Sequence, residues 1–287
     1  LFVPSAQSYV EQAPVPALRG AVRVVWIQRI GAEPYVQRHL PTGGVELHCA
    51  IGSLPRLVVP LTGPSVEVLA PGTTVVGVRF HPGGAAPILE LPACELADLT
   101  VRLDEIWGPD AIVLGELMSN ADSPEMALSV LQATLARRMA AGTDADPLVS
   151  EAVRRLMPWG AGHVGSLSSE LAISHSQLRR RCLATVGIGP KALHRTLRFQ
   201  GFLALVQAGE PGADPGTEYR LAALAALAAE AGYADQAHLS RECQRLTGLP
   251  PRAFLTDRTD KCGCGHDHSA SFIPVLRARR QPARVAS

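Results

Sequence analysis

Three sets of residues in this chain have the types and spacing for chemistry. The first lies in two similar stretches of the second half. Residues 166–191 read SLSSELAISHSQLRRRCLATVGIGPK, and residues 224–252 read LAALAAEAGYADQAHLSRECQRLTGLPPR. Each has a short Ala/Leu helix, a turn, a polar helix and a closing Gly-x-x-Pro-basic run, and Leu178, Cys182 and Gly187 match Leu239, Cys243 and Gly248. A repeated helix–turn–helix is therefore visible within the chain itself. With those apolar residues turned inward, the second helix of each unit offers an outer face to a major groove. That face carries Ser176, Arg179 and Arg180 in the first unit, and Gln236, His238, Ser240 and Arg241 in the second. Arginine forks onto guanine and glutamine pairs with adenine, whereas Arg245, Arg252 and the helix starts at Ser176 and Asp235 suit phosphates. The plainer reading of any one of these side chains is contact with phosphate or water alone.

The second set is Cys262, Cys264, His266 and His268, which alternate with small or polar residues near the end of the sequence. Two thiolates and two imidazoles suit Zn²⁺ or Cu(I), the one cofactor the chain suggests. The spacing is tighter than the usual structural zinc pattern, and an extension with incidental Cys and His stands beside the metal reading. An arginine-rich run, Arg277 to Arg284, follows and adds general affinity for nucleic acid. The third set is Glu46 with His48 and Arg79 with His81, each pair sharing one face of a strand. They are candidate effector ligands; the alternative is a satisfied interior position.

The elements that must position these residues fall into two textures. Short β-branched runs occupy Ala21 to Ile27, Val45 to Ile51, Arg56 to Val59, Ser65 to Leu69 and Thr73 to Phe80. Gly and Pro pairs separate them, which predicts a small antiparallel sheet or partly closed barrel. Ser123-Pro-Glu then opens a helix whose stripe Leu128, Leu131 and Leu135 reads first as core and second as a homodimer contact. Beyond the turn-forming residues 142–147 only helical patterns remain: Leu148 to Met157, Ser166 to Ile173, Ser176 to Thr185, Pro190 to Gln207, Leu221 to Ala231, Asp235 to Leu246 and Pro250 to Leu255. The fold class expected is α+β. Residues 1–142 form a β-rich sensor or dimerisation domain, 143–258 an all-α double helix–turn–helix domain, and 259–287 a Cys/His-containing basic tail.

The 287 residues suffice for two domains, and 47% hydrophobic against 18% charged residues excludes a wholly disordered chain. The net charge of +1 hides an asymmetry: 9 Lys+Arg face 15 Asp+Glu up to Pro147, and 18 face 11 beyond it. Only Lys191 and Lys261 are lysines, so the basic half is an arginine half. Six scattered cysteines suggest reduced thiols rather than a disulfide scaffold, and Cys49, Cys94, Cys182 and Cys243 read as small buried hydrophobes. No run is apolar enough for a membrane span and the first residues carry no export signal, so the expected location is cytoplasmic. No phosphate loop, nucleophile elbow or HExxH occurs, and the chain does not read as an enzyme.

The region from Leu148 to Asp257 resembles the AraC/XylS transcriptional regulators, most closely through Ala228 to Phe254. The resemblance implies two helix–turn–helix subdomains joined by a long helix, here Pro190 to Gln207, with both recognition helices in successive major grooves on one DNA face. Residues Val76 to Pro87 and the later Leu103-Asp-Glu-Ile-Trp-Gly108 resemble the cupin-like sensor domain that often precedes this unit, which implies an effector without naming it. Three departures stand out. Cys182 and Cys243 replace core aromatics, Arg181 replaces an apolar residue and offers a phosphate contact, and the loop from Glu210 to Arg220 is about ten residues longer than usual.

The reading is a sequence-specific DNA-binding transcription regulator controlled by a small-molecule effector in the first domain or a metal at the tail. Double-stranded DNA is its partner, with RNA polymerase added if it activates, and no membrane. The alternatives are a metal-buffering protein with nonspecific nucleic-acid affinity and, behind it, a DNA-repair alkyl-transfer protein using Cys49 or Cys94.

Overall fold

The computed structural model describes residues 7–59, 62–142, 145–160, 162–208 and 217–256. Eight strands occur among them: β1 (Ser8–Gln12), β2 (Val22–Arg29), β3 (Tyr35–His39), β4 (Glu46–Ala50), β5 (Arg56–Val58), β6 (Ser65–Leu69), β7 (Thr74–Phe80) and β8 (Thr100–Arg102). Six form one antiparallel sheet in the order β1-β2-β7-β4-β5-β8, and β3 pairs with β6 in a second sheet. Of the two forms expected, the antiparallel sheet is the one found, and among the described residues the two sheets do not close into a barrel. Four helices accompany them, α1 (Ala86–Leu89), α2 (Asp104–Trp107), α3 (Pro109–Ser119) and α4 (Pro124–Ala141).

Alternation along the strands assigns two interiors to the large sheet. Val25, Ile27, Leu47, Cys49, Val76, Val78 and Phe80 pack on Trp107, Leu114, Met118, Leu128, Leu131 and Leu135 of the helices. The leucine stripe of α4 is thus core, as its first reading had it. Ser123 caps that helix by accepting from the Met126 amide. The opposite face of the sheet carries Trp26, Gln28, Glu46, His48 and Arg79, all buried, and β3–β6 lies over it. A register shift between Val22 and Val24 lets Val22 and Val25 share the helix-facing core. Gly77 stands opposite Trp26, and a Cβ there would come within 2.1 Å of the indole, so only glycine accommodates that ring.

Strand β3 escaped the sequence reading because its pattern is inverted. Gln37 and His39 point inward and are buried, whereas Val36 is exposed. Hydrophobic alternation fails as a signal where the interior is polar. Strands β1 and β8 were missed as well: Tyr9 and Glu11 of β1 also face the polar side, and β8 is only three residues long.

The second half comprises α5 (Pro147–Leu156), α6 (Leu167–Glu170), α7 (His175–Val186), α8 (Pro190–Ala208), α9 (Thr217–Glu230), α10 (Gln236–Thr247) and α11 (Pro251–Thr256). Two cores share the long helix α8. Its Leu193 and Leu197 join Val149, Ala152, Leu156, Leu167, Leu178 and Cys182 in the first unit. Its Phe199, Phe202 and Leu203 join Leu224, Ala228, Tyr233, Leu239, Cys243, Leu246 and Phe254 in the second. Among the described residues no helix is long and apolar enough to cross a membrane.

Candidate nucleic-acid interface

The two polar helices are built alike, residue for residue. Ser174 caps α7 by accepting from the Gln177 amide, and Gln177 reaches back to the Ser174 amide. Asp235, at the matching place, caps α10 by accepting from the His238 amide at 2.6 Å. Leu178 and Leu239 are buried, as are Cys182 and Cys243. Gly187 and Gly248 end the helices in the left-handed region at φ 89° and 77°, where a side chain would be strained. Helix α7 thus begins one residue before the expected Ser176, which lies inside its first turn. The anion site expected at Asp235 is corrected, because its own carboxylate already occupies the start of α10.

The outward side chains divide cleanly. Ser176, Arg179, Arg180, Gln236, Arg241, Arg245 and Arg252 are exposed, whereas His238 and Ser240 are half-buried. The His238 ring meets Tyr233 edge to face at 5.2 Å, so one side of it is packed. Arg181 differs from the expected phosphate contact: its Nη1 donates to Asp146 at 2.6 Å, tying α7 to the cap of α5. Glu242 occupies the matching place in α10 and receives two bonds from Arg195 of α8, at 2.7 and 2.8 Å. In both units this position fastens the polar helix to its support. Burial pushes the thiols of Cys182 and Cys243 up to about 11, so they are packing groups at neutral pH.

Three of the four effector candidates lie on the face of the large sheet that β3–β6 covers. Arg79 Nε donates to Glu46 at 2.9 Å and its Nη1 to Glu11 at 3.3 Å, while His48 Nε2 lies 3.1 Å from Glu46. Burial opposes the charge on Arg79, but Glu46, Tyr9 and Glu11 outweigh it and hold the guanidinium protonated. Burial dominates at His48 and lowers its proton affinity despite the Glu46 bond. His81 stands apart, one residue past the end of β7, its ring lowered to about 4 by burial and then by Arg23.

The sequence reading missed the other wall of this interior. His39 Nε2 lies 3.2 Å from Glu67, Arg56 also bonds Glu67, and Gln28 donates to Gln37 at 3.1 Å. Burial would raise Glu67, yet the bonds from His39 and Arg56 hold it at about 2. Together with Trp26 and His48 these residues line a cavity of about 10 Å³, room for roughly one water. The alternation of Gln37 and His39 beside Tyr35 and Val36 was the available signal. Among the described residues, no three His, Cys, Asp or Glu side chains converge as metal ligands. Cys262, Cys264, His266 and His268 lie outside the described residues, as does most of the long loop after α8.

A capped pair of exposed polar helices on apolar cores is the build of a DNA-binding helix–turn–helix protein. Comparison with known families agrees: residues 167–257 match a helix-turn-helix domain, and residues 10–102 match a domain of unknown function. Residues 167–257 are therefore a helix-turn-helix domain set behind a β-rich domain, and that domain supports binding of DNA by a transcription regulator. No protein with a curated description matches the chain. Among solved structures, ToxT of Vibrio cholerae is similar in outline. An apo variant from strain SCE256 shares 13% identity over 81% of this chain and 96% of its own, with a TM-score of 0.43. ToxT of strain O395 shares 13% over the same proportions, with a TM-score of 0.41.

Proposed function

We propose that α7 and α10 read two successive major-groove segments of one DNA site, and that a small polar effector in the inter-sheet cavity controls them. One observation carries the first part. Arg180 and Arg241 are each the sixth residue of their helix, both are exposed, and neither has a hydrogen-bond or ion-pair partner among the described residues. Free guanidiniums at matched places on two capped helices suit forked contacts to guanine. Ser176, Arg179, Gln236, His238 and Ser240 flank them, and Arg245 and Arg252 face the phosphates in this reading. For the second part, the buried amides and imidazoles around the cavity supply donors and acceptors to a polar molecule.

The test selects binding duplexes from random sequence with the whole chain, then compares Arg180→Ala and Arg241→Ala on selected and scrambled DNA at one salt concentration. Each lost fork lowers specific affinity by about 1–3 kcal/mol, roughly 5- to 150-fold, and changes the salt slope by no more than about one unit. Equal losses on both duplexes would reject these two residues as readers. Truncation after Arg258, with elemental analysis before and after, tests metal control through the tail separately.

A further inference from the structure

The small sheet β3–β6 covers the polar interior, and one of its ends is fastened to the DNA-binding half. Its last pair is His39 with Ser65. His39 faces the interior, with its ring 5.4 Å from that of His48. The next residue, Leu40, is buried in the core of the second unit beside Phe199, Phe202 and Leu239. The Pro41 carbonyl accepts from Gln200 of α8 at 2.9 Å, and Gln200 is 0% exposed. Gly43 packs so closely on α8 that a Cβ there would stand 3.2 Å from Leu193 and from Leu197. Just before the neighbouring strand β6, Pro64 lies 3.6 Å from where a Cβ of Gly248 would be, at the end of α10.

Polar and aromatic contacts hold the sheet over the interior. Arg56 to Glu67, Gln28 to Gln37 and the His39–His48 ring contact cross between the two sheets, and Leu69 packs with Trp26 and Val75. Its outer face carries exposed Val36, Val66 and Val68. A cavity of about 10 Å³ admits nothing larger than roughly a water unless β3–β6 moves. Movement at His39 pulls on Leu40 and Pro41, hence on α8, and through the Arg195–Glu242 pair on α10.

We infer that β3–β6 is a lever: lifting it off the interior shifts α8 and α10 through the Leu40–Gly44 segment, so occupancy of the cavity and affinity for DNA are reciprocally linked. The inference rests on the DNA and effector readings above, but its mechanical part is testable without either ligand. Hydrogen exchange is measured on the full chain carrying Glu67→Gln, which removes the charge that Arg56 and His39 share. Amides of β3 and β6 exchange faster, and so do those of residues 194–205 and 236–247, by about fivefold or more, whereas α4 on the far face of the large sheet is unchanged. With Leu40→Ala and Gln200→Met added, the response of α8 and α10 disappears while that of β3–β6 persists. Faster exchange confined to β3–β6 in the Glu67→Gln chain overturns the lever, as does faster exchange everywhere including α4. Should Glu67→Gln fail to fold, Gln37→Leu loosens the same sheet and carries the same outcomes. If no duplex is selected, the DNA reading fails, and exchange still decides the lever.

Discussion

The Arg195–Glu242 pair offers the sharpest test of how α10 is held. Two parallel bonds of 2.7 and 2.8 Å join α8 to α10, and the side chains are 23% and 13% exposed. A fully buried pair broken on one side costs about 3–5 kcal/mol, whereas an exposed pair contributes about 0–1. Partial burial and fork geometry place this one between, at about 1–3 kcal/mol. Glu242 touches α8 while its neighbour Arg241 points to solvent, so Glu242→Gln disturbs the mounting without removing a reader. The expected result is a local loss of about 1–2 kcal/mol in the opening free energy of α10 amides, with specific DNA affinity reduced about 3- to 10-fold and nonspecific affinity unchanged. Arg195→Gln gives a similar loss, the double variant loses little more, and the exchanged pair Arg195→Glu with Glu242→Arg recovers part of it. A cycle over these variants, read by native-state hydrogen exchange and by titration of selected DNA, yields the interaction energy directly. A value below about 0.3 kcal/mol would show that apolar packing alone mounts the helix and would refute this reasoning.

Three further expectations follow from the same geometry. Gly77→Ala drives a methyl into the Trp26 indole and lowers stability by about 1–3 kcal/mol, with a changed near-ultraviolet signal; an unaltered melting temperature would contradict the contact. Ser174→Ala and Asp235→Ala each remove one cap and each cost about 1 kcal/mol, read as faster exchange in the first turn of α7 or α10 respectively. Acid destabilises the protein in two stages. The rings of His48, His81 and His194 take up protons less readily in the folded chain, the last two at about 4, so the unfolded chain binds protons first as pH falls below about 6.5. Stability present above that pH is lost toward pH 4, by roughly 3 kcal/mol at most for each of the last two rings. Glu67, held at about 2, contributes stability above about 4.5 that is lost on going lower. Urea titrations between pH 7 and 3 check both stages, and a flat profile between 6.5 and 4 would contradict the first.

Local chemistry alone made much of the second half legible. The matched Leu178/Leu239, Cys182/Cys243 and Gly187/Gly248 are short-range signals: apolar spacing that only a helix satisfies, and glycines where the chain must turn left-handed. They identified two helix–turn–helix units, and the Ser123 cap placed α4 in the same way. Tertiary structure alone decided which polar groups meet. Arg181 read as a phosphate contact and Glu242 carried no signal at all, yet Asp146 and Arg195, 35 and 47 residues away, hold them. Glu46 and His48 share a strand face as the alternation suggested, but it was the pairing of β4 with β7 that brought Arg79 to them without His81. Their wall of Gln37, His39 and Glu67 stands on strands whose valines face outward. The reason is physical: helix periodicity and caps are written within a few residues, whereas the partner of a buried charge depends on which strand comes to lie above it.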